Sequence, residues 1–340
     1  MIRTPGQALV MGAGAVGCWV GGRLQAAGAQ VQFVGRPSVL EDLRLLGLTL
    51  TDLDGRRTHL APAALRLHAE VPEASRGGPD APALVLLCVK SGATAEAAAL
   101  LSLHLPPGTP VLSLQNGIGN PAVAAAAAPA LQVIPGMVGF NVVRASPGHW
   151  HRGTWGTLAA EAHPALQAWL PTFAASGLPL ALHADLRPVQ WGKLLLNLNN
   201  PVNALSGLPL KRQLLDRDLR IVMAALIDEA LAALAAHGIE PAQVASLPPR
   251  RMPQGLRLPN WLFRIVARKS LNMDDQARTS MAEDVARGRP TEIDALCGEV
   301  VRLARAAGLR APCNEWMQER LSRPTPGRMS GREMRAALRL

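Results

Sequence analysis

The opening stretch ALVMGAGAVGCWVGGRLQAAGAQVQFVGR, residues 8–36, admits few folds. Ala8–Met11 is an apolar strand, and the turn Gly12-Ala13-Gly14-Ala15-Val16-Gly17 follows it. A helix then runs to about Ala27, Gly28 marks its end, and Val31–Val34 reads as the next parallel strand. In such a unit Gly12 permits the tight turn, Gly14 lets backbone approach a pyrophosphate, and Gly17 lets helix and strand pack closely. The pyrophosphate would rest on the helix N-terminus, where amides and macrodipole favour negative charge. A GxGxxG alone is a weak signal. Here a strand precedes it and a helix follows it at the start of the chain, so residues 12–17 are expected to bind a dinucleotide rather than form a merely structural glycine turn.

The end of the second strand bears on which dinucleotide. An enzyme selecting NAD places Asp or Glu there for the ribose 2′-hydroxyl. This chain has Gly35-Arg36, with no acid until Glu41. A guanidinium can pair with a 2′-phosphate, so Arg36 favours NADPH over a reading as a solvated loop arginine. Two more continuous apolar runs, residues 83–90 and 111–117, read as strands covered on both faces and end in Lys90 and Asn116. Ligands of open parallel sheets bind beyond the carboxyl ends of strands, which places Lys90 and Asn116 toward the cofactor crevice. Residues 131–143 and 154–159 are further strand candidates.

From about residue 186 the pattern becomes helical, with periodic segments at 191–205, 213–237, 260–270, 279–287 and 292–307. The expected fold is therefore α/β: a Rossmann-type, doubly wound parallel sheet over residues 1–185, then an all-helical domain over 186–322. The proline-rich 241–259 reads as a surface excursion. Residues 323–340 read as a basic tail in which Ser330-Gly-Arg-Glu333 suits one last capped helix.

Composition narrows the class. The 340 residues are 49% hydrophobic, ample for two cores. The apolar runs 83–89 and 122–128 fall far short of the ~20 residues of a membrane helix. No signal-peptide pattern opens the chain, so a soluble, cytoplasmic protein is expected. The four cysteines form no CxxC pair and read as reduced thiols. His149 and His151 share a strand face without further ligands, so no metal site is expected. The net charge of +10 comes from scattered arginines, with only 3% aromatic residues and no nucleic-acid motif, which favours a small anionic ligand over nucleic acid.

The segment WGKLLLNLNNPVNAL, residues 191–205, threads a lysine and several asparagines through an apolar helix. At about 100° per residue, Lys193, Asn197 and Asn200 fall on one face within about 60°, while Asn199 and Asn203 lie together elsewhere. A buried ammonium is costly unless paired or used, so the stripe reads as an active-site wall rather than a lysine reaching to water. Further on, Ser280-Met-Ala-Glu283 and Thr291-Glu292-Ile-Asp294 both match a capping box, which gives Ser280 and Glu292 a purely structural reading on their own chemistry.

These elements together resemble the ketopantoate reductase family (2-dehydropantoate 2-reductase) over roughly residues 7–314. They are the GAGAVG turn, Lys90 in CVKSG, Asn116 in LQNGIGN, the WGKLLLNLNNPVNAL helix and SMAEDVARGRPTEID. The resemblance implies a helical second domain like that of 6-phosphogluconate dehydrogenase and NADPH-dependent reduction of 2-dehydropantoate to pantoate. It makes Lys193 the general acid, Asn197 and Asn200 substrate contacts, and Ser280 the holder of the substrate carboxylate. Glu292 lies beside cofactor and substrate, and Lys90 and Asn116 line the NADPH site. The Lys193–Pro201 segment is one residue shorter than in some members, leaving Asn199 or Asn200 as the equivalent contact; the face argument chooses Asn200. Reduction of another 2-oxo acid, a 3-hydroxyacid dehydrogenase, and a non-catalytic NADP-binding regulator remain as alternatives, and monomer and homodimer both stay open.

Overall fold

In the computed structural model the described residues are 6–73, 77–78, 81–268, 271, 275, 277–323 and 326–340. The chain divides into two compact units, Met1–Leu186 and Arg187–Leu340.

Among the described residues the first unit holds twelve strands: β1 (Gln7–Met11), β2 (Gln30–Val34), β3 (Leu48–Thr51), β4 (Arg57–Leu60), β5 (Arg66–His68), β6 (Pro82–Leu87), β7 (Pro110–Ser113), β8 (Gln132–Val138), β9 (Val142–Ser146), β10 (His149–Arg152), β11 (Leu158–Glu161) and β12 (Leu180–His183). Its helices are α1 (Ala15–Ala26), α2 (Pro37–Leu46), α3 (Thr94–His104), α4 (Asn120–Ala127), α5 (Pro164–Gln167) and α6 (Leu170–Ala175). The main sheet runs β12-β11-β8-β7-β6-β1-β2-β5, parallel throughout except for the antiparallel β8–β11 pair. Strand alternation explains the continuous apolar runs. Ala8 and Val10 of β1 pack in one core with Trp19, Leu24 and Phe33, while Leu9 and Met11 pack in another with Leu87, Leu101 and Val111. A strand covered on both faces has no polar side to show.

The second sheet, β4-β3-β10-β9, was not expected from the sequence. His149 and His151 lie on one face of β10, where each ring hydrogen-bonds Thr51 Oγ1 at 2.8 and 2.9 Å. The alternate residues Trp150 and Arg152 are buried, and Arg152 pairs with Asp52 at 2.6 Å.

The second unit is helical: α7 (Arg187–Asn197), α8 (Asn199–Ser206), α9 (Leu210–Leu215), α10 (Arg217–Ala236), α11 (Met252–Arg257), α12 (Asn260–Val266), α13 (Ser280–Ala286), α14 (Glu299–Ala306), α15 (Pro312–Leu321) and α16 (Gly331–Leu338), with a π-turn at Asp294–Gly298. Residues 269 and 270 of the expected 260–270 helix lie outside the described residues. The 241–259 stretch is anchored rather than loose. Met252, Pro253 and Leu256 are buried, and the buried Arg220 of α10 donates to the carbonyls of Leu214, Leu256 and Leu258 and to Asn260. Residues 326–340 are part of this unit: Met334 is fully buried, and Ser330 and Glu333 complete a capping box at the start of α16. No helix among the described residues is long and apolar enough to cross a membrane.

Candidate functional site

The glycine turn divides its roles by position. The amides of Gly12 and Ala13 both donate to Val34 O, at 3.0 and 2.8 Å, which folds the chain back over the end of β2. Gly12 has φ +110°, and a Cβ there would meet the backbone of Cys88 and Val89 at 2.8 and 2.7 Å. At Gly17 a Cβ would enter the Gly12 carbonyl and press on Val10 at 2.7 Å, so only glycine lets α1 sit this close to β1. Gly14, by contrast, faces open space. It is the N-cap of α1, and the first turn, Ala15, Val16 and Gly17, carries neither a side-chain cap nor an acidic residue. Open space at Gly14 beside an uncapped helix start suits a dinucleotide pyrophosphate. Arg36 is exposed just past the end of β2, at the N-cap position of α2.

The strands expected to end in Lys90 and Asn116 stop sooner, at Leu87 and Ser113. Both residues therefore stand on loops beyond the strands' carboxyl ends, where the backbone no longer follows the neighbouring strand. A buried polar network joins those loops. Gln115 donates to Val89 O at 3.0 Å and to Thr94 Oγ1 at 2.7 Å, and Thr94 donates to Asn120 Oδ1 at 3.0 Å. Asn120 in turn donates to Ser91 Oγ at 3.1 Å and to the Asn116 carbonyl at 2.5 Å. Sequence reasoning missed Thr94, Gln115 and Asn120. Their signal was polar side chains directly after apolar strands, in the same motifs as Lys90 and Asn116.

In the second unit the expected single helix over 191–205 is two abutting helices, α7 and α8, meeting at Leu198. Pro201 explains the break: it has no N–H to donate to Asn197 O, and its ring crowds that carbonyl. Lys193, Asn197 and Asn200 are half-buried, whereas Asn199 and Asn203 are buried. Asn199 Oδ1 accepts from Gln213 Nε2. Asn203 Oδ1 accepts from Thr279 N and Oγ1 at 3.0 and 3.1 Å. Burial of the Lys193 ammonium lowers its pKa from 10.5 to about 8, and the Glu292 carboxylate pulls it partly back up.

The capping reading of Ser280 is corrected by the structure. Thr279 is the N-cap of α13, its Oγ1 accepting from Ala282 N at 3.3 Å, and Ser280 is the first helical residue, exposed. Thr and Ser are both favoured caps, so the one-residue offset was not readable from sequence. The second capping box does not form either. Asp294 instead accepts from Arg302 and Gln318, and Glu292 lies half-buried immediately before the turn that leads into the π-turn. Such π-turns commonly mark functional sites.

A dinucleotide-binding sheet followed by a helical unit with this lysine defines an oxidoreductase of the nicotinamide-dependent class. Residues 8–165 match the family described as ketopantoate reductase PanE/ApbA, and residues 185–323 match its C-terminal counterpart. The chain belongs to the ketopantoate reductase family. It is 28% identical to the 2-dehydropantoate 2-reductase of Halobacterium salinarum, over 89% of this chain and 94% of that one. It is also 28% identical to a PanE/ApbA family ketopantoate reductase from Ralstonia eutropha, with a TM-score of 0.77 over 98% of this chain and 100% of that one. D-Mandelate dehydrogenase, solved with NADH and anilino(oxo)acetate, shares the fold at 18% identity, with a TM-score of 0.72 over 98% and 99% of the two chains.

Proposed function

We propose that this chain reduces 2-dehydropantoate to pantoate with NADPH, and that Lys193 is the proton donor. The observation that carries the reading is the lowered pKa of Lys193, about 8, on α7, which also carries Asn197, with Asn200 in the first turn of α8. A general acid works best with a pKa near the operating pH. Residues 12–17 hold the pyrophosphate at the start of α1, Arg36 pairs with the 2′-phosphate, and Lys90 and Asn116 line the nicotinamide cofactor's site. When bound, NADPH supplies the hydride that reaches the carbonyl carbon of the 2-oxo acid. As that carbon is reduced, the carbonyl π pair becomes a lone pair on oxygen, and the Lys193 ammonium first stabilises this developing charge and then protonates it. Asn197 and Asn200 hold the hydroxyl-bearing end of the substrate, and the Ser280 hydroxyl donates to its carboxylate. Glu292 keeps Lys193 protonated by opposing the effect of burial.

The test is NADPH oxidation, followed by absorbance, across a panel of 2-oxo acids that includes 2-dehydropantoate. The highest kcat/KM is expected for 2-dehydropantoate. A branched or aromatic 2-oxo acid turned over better would keep the chemistry and replace the substrate, and a protein inert toward the whole panel would overturn the reading.

A further inference from the structure

Asn203 lies one helical turn beyond Asn200, fully buried, and its amide is used at both ends. Its oxygen accepts from the backbone N–H and the hydroxyl of Thr279, at 3.0 and 3.1 Å. Its nitrogen donates to the Leu208 carbonyl at 2.9 Å. A second tie runs alongside, Leu210 N to Ala277 O at 2.8 Å. The segment 277–279, which delivers the chain into α13, is thus fastened to the end of α8. Thr279 Oγ1 works in both directions, donating to Asn203 and accepting from Ala282 N, so the placement of the first turn of α13 follows the position of one amide. No other side chain of this size supplies both an acceptor for Thr279 and a donor for Leu208: Asp lacks the donor, and Leu lacks both.

We infer that Asn203 is a positioning residue for substrate recognition, setting the location of Ser280 relative to Asn200. The inference rests on the proposed role of Ser280 as carboxylate holder. One end of α8 then carries a contact for the hydroxyl-bearing end of the 2-oxo acid, while Asn203 registers the contact for its carboxylate. The spacing between those two contacts is a determinant of which acids fit, because a hydrogen-bonding site misplaced by a fraction of an ångström loses its geometry.

The experiment is a double-mutant cycle on the full chain, with Asn203→Ala, Ser280→Ala and the double variant. Substrate KM, kcat, NADPH Kd and Tm are measured for each. Asn203→Ala should raise the substrate KM about tenfold or more while NADPH Kd stays within about twofold, the loss of one ordering hydrogen-bond centre. In the Ser280→Ala background it should add almost nothing, because residues acting through one contact are non-additive. If Asn203→Ala does not fold, Thr279→Val and Thr279→Ser replace it. The first should raise KM several-fold, and the second, which keeps the hydroxyl, should leave it near wild type. Fully additive effects, or a lower Tm with unchanged KM, would overturn the inference while leaving the reaction intact. A Ser280→Ala enzyme with wild-type KM would instead remove the carboxylate role of Ser280, and this inference with it.

Discussion

The pKa of Lys193 makes the sharpest test of the proposed chemistry. The folded-state value is about 8 against 10.5 for an ordinary lysine, with burial as the larger cause and Glu292 opposing it. A proton donor acts only when protonated. At pH 7 roughly 90% of the enzyme carries the ammonium and at pH 9 roughly 10%, so kcat/KM should fall about tenfold across that interval and about tenfold per pH unit beyond. Glu292→Gln removes the influence that raises the pKa, so the alkaline limb should move to lower pH and activity at pH 8 should drop more than at pH 6. Stability carries the opposite sign. Because the folded pKa lies below the unfolded one, the cost of burying the ammonium is fully present below about pH 8 and is relieved as pH rises toward 10.5, a gain of about 3 kcal/mol. Lys193→Ala should abolish that gain and lower kcat by ~10²-fold or more. The assay is initial rate against pH for wild type and Glu292→Gln, with chemical denaturation at matched pH values. A rate that stays flat to pH 10, or a limb displaced to higher pH in Glu292→Gln, would refute the assignment.

Arg36→Ala should raise the KM for NADPH far more than that for NADH, and a wild-type enzyme that uses both equally well would remove the 2′-phosphate role. Asn199→Ala should lower stability by ~1–3 kcal/mol, since it strands the buried Gln213 amide, with little change in substrate KM. Asn197→Ala and Asn200→Ala should do the reverse, and urea unfolding beside steady-state kinetics separates the two classes. Arg220→Met should leave the carbonyls of Leu214, Leu256 and Leu258 without their donor, cost ~2–4 kcal/mol and expose the 250–258 segment to faster hydrogen exchange or proteolysis.

Features that rest on local chemistry and simple periodicity were legible in the residues alone. Gly12, Gly14 and Gly17 occupy positions whose steric demands differ as a strand–turn–helix unit requires, and the Ser330–Glu333 capping box forms where its spacing places it. A single unbroken stripe through Lys193, Asn197 and Asn200 was not among them, because the break at Leu198 puts Asn197 on α7 and Asn200 on α8. Choices among equivalent local options fell to long-range packing. Thr279 rather than Ser280 caps α13 because the Asn203 amide, distant in sequence, holds Thr279 in place. Asp294 accepts from Arg302 and Gln318, eight and twenty-four residues on, instead of closing its capping box. The four-stranded second sheet depends on β3 pairing with β10, a contact across about a hundred residues of chain that no local pattern encodes. The lowered pKa of Lys193 is likewise a property of surroundings: sequence placed an ammonium in an apolar helix, but only the packed unit sets how much water it loses and how near Glu292 comes.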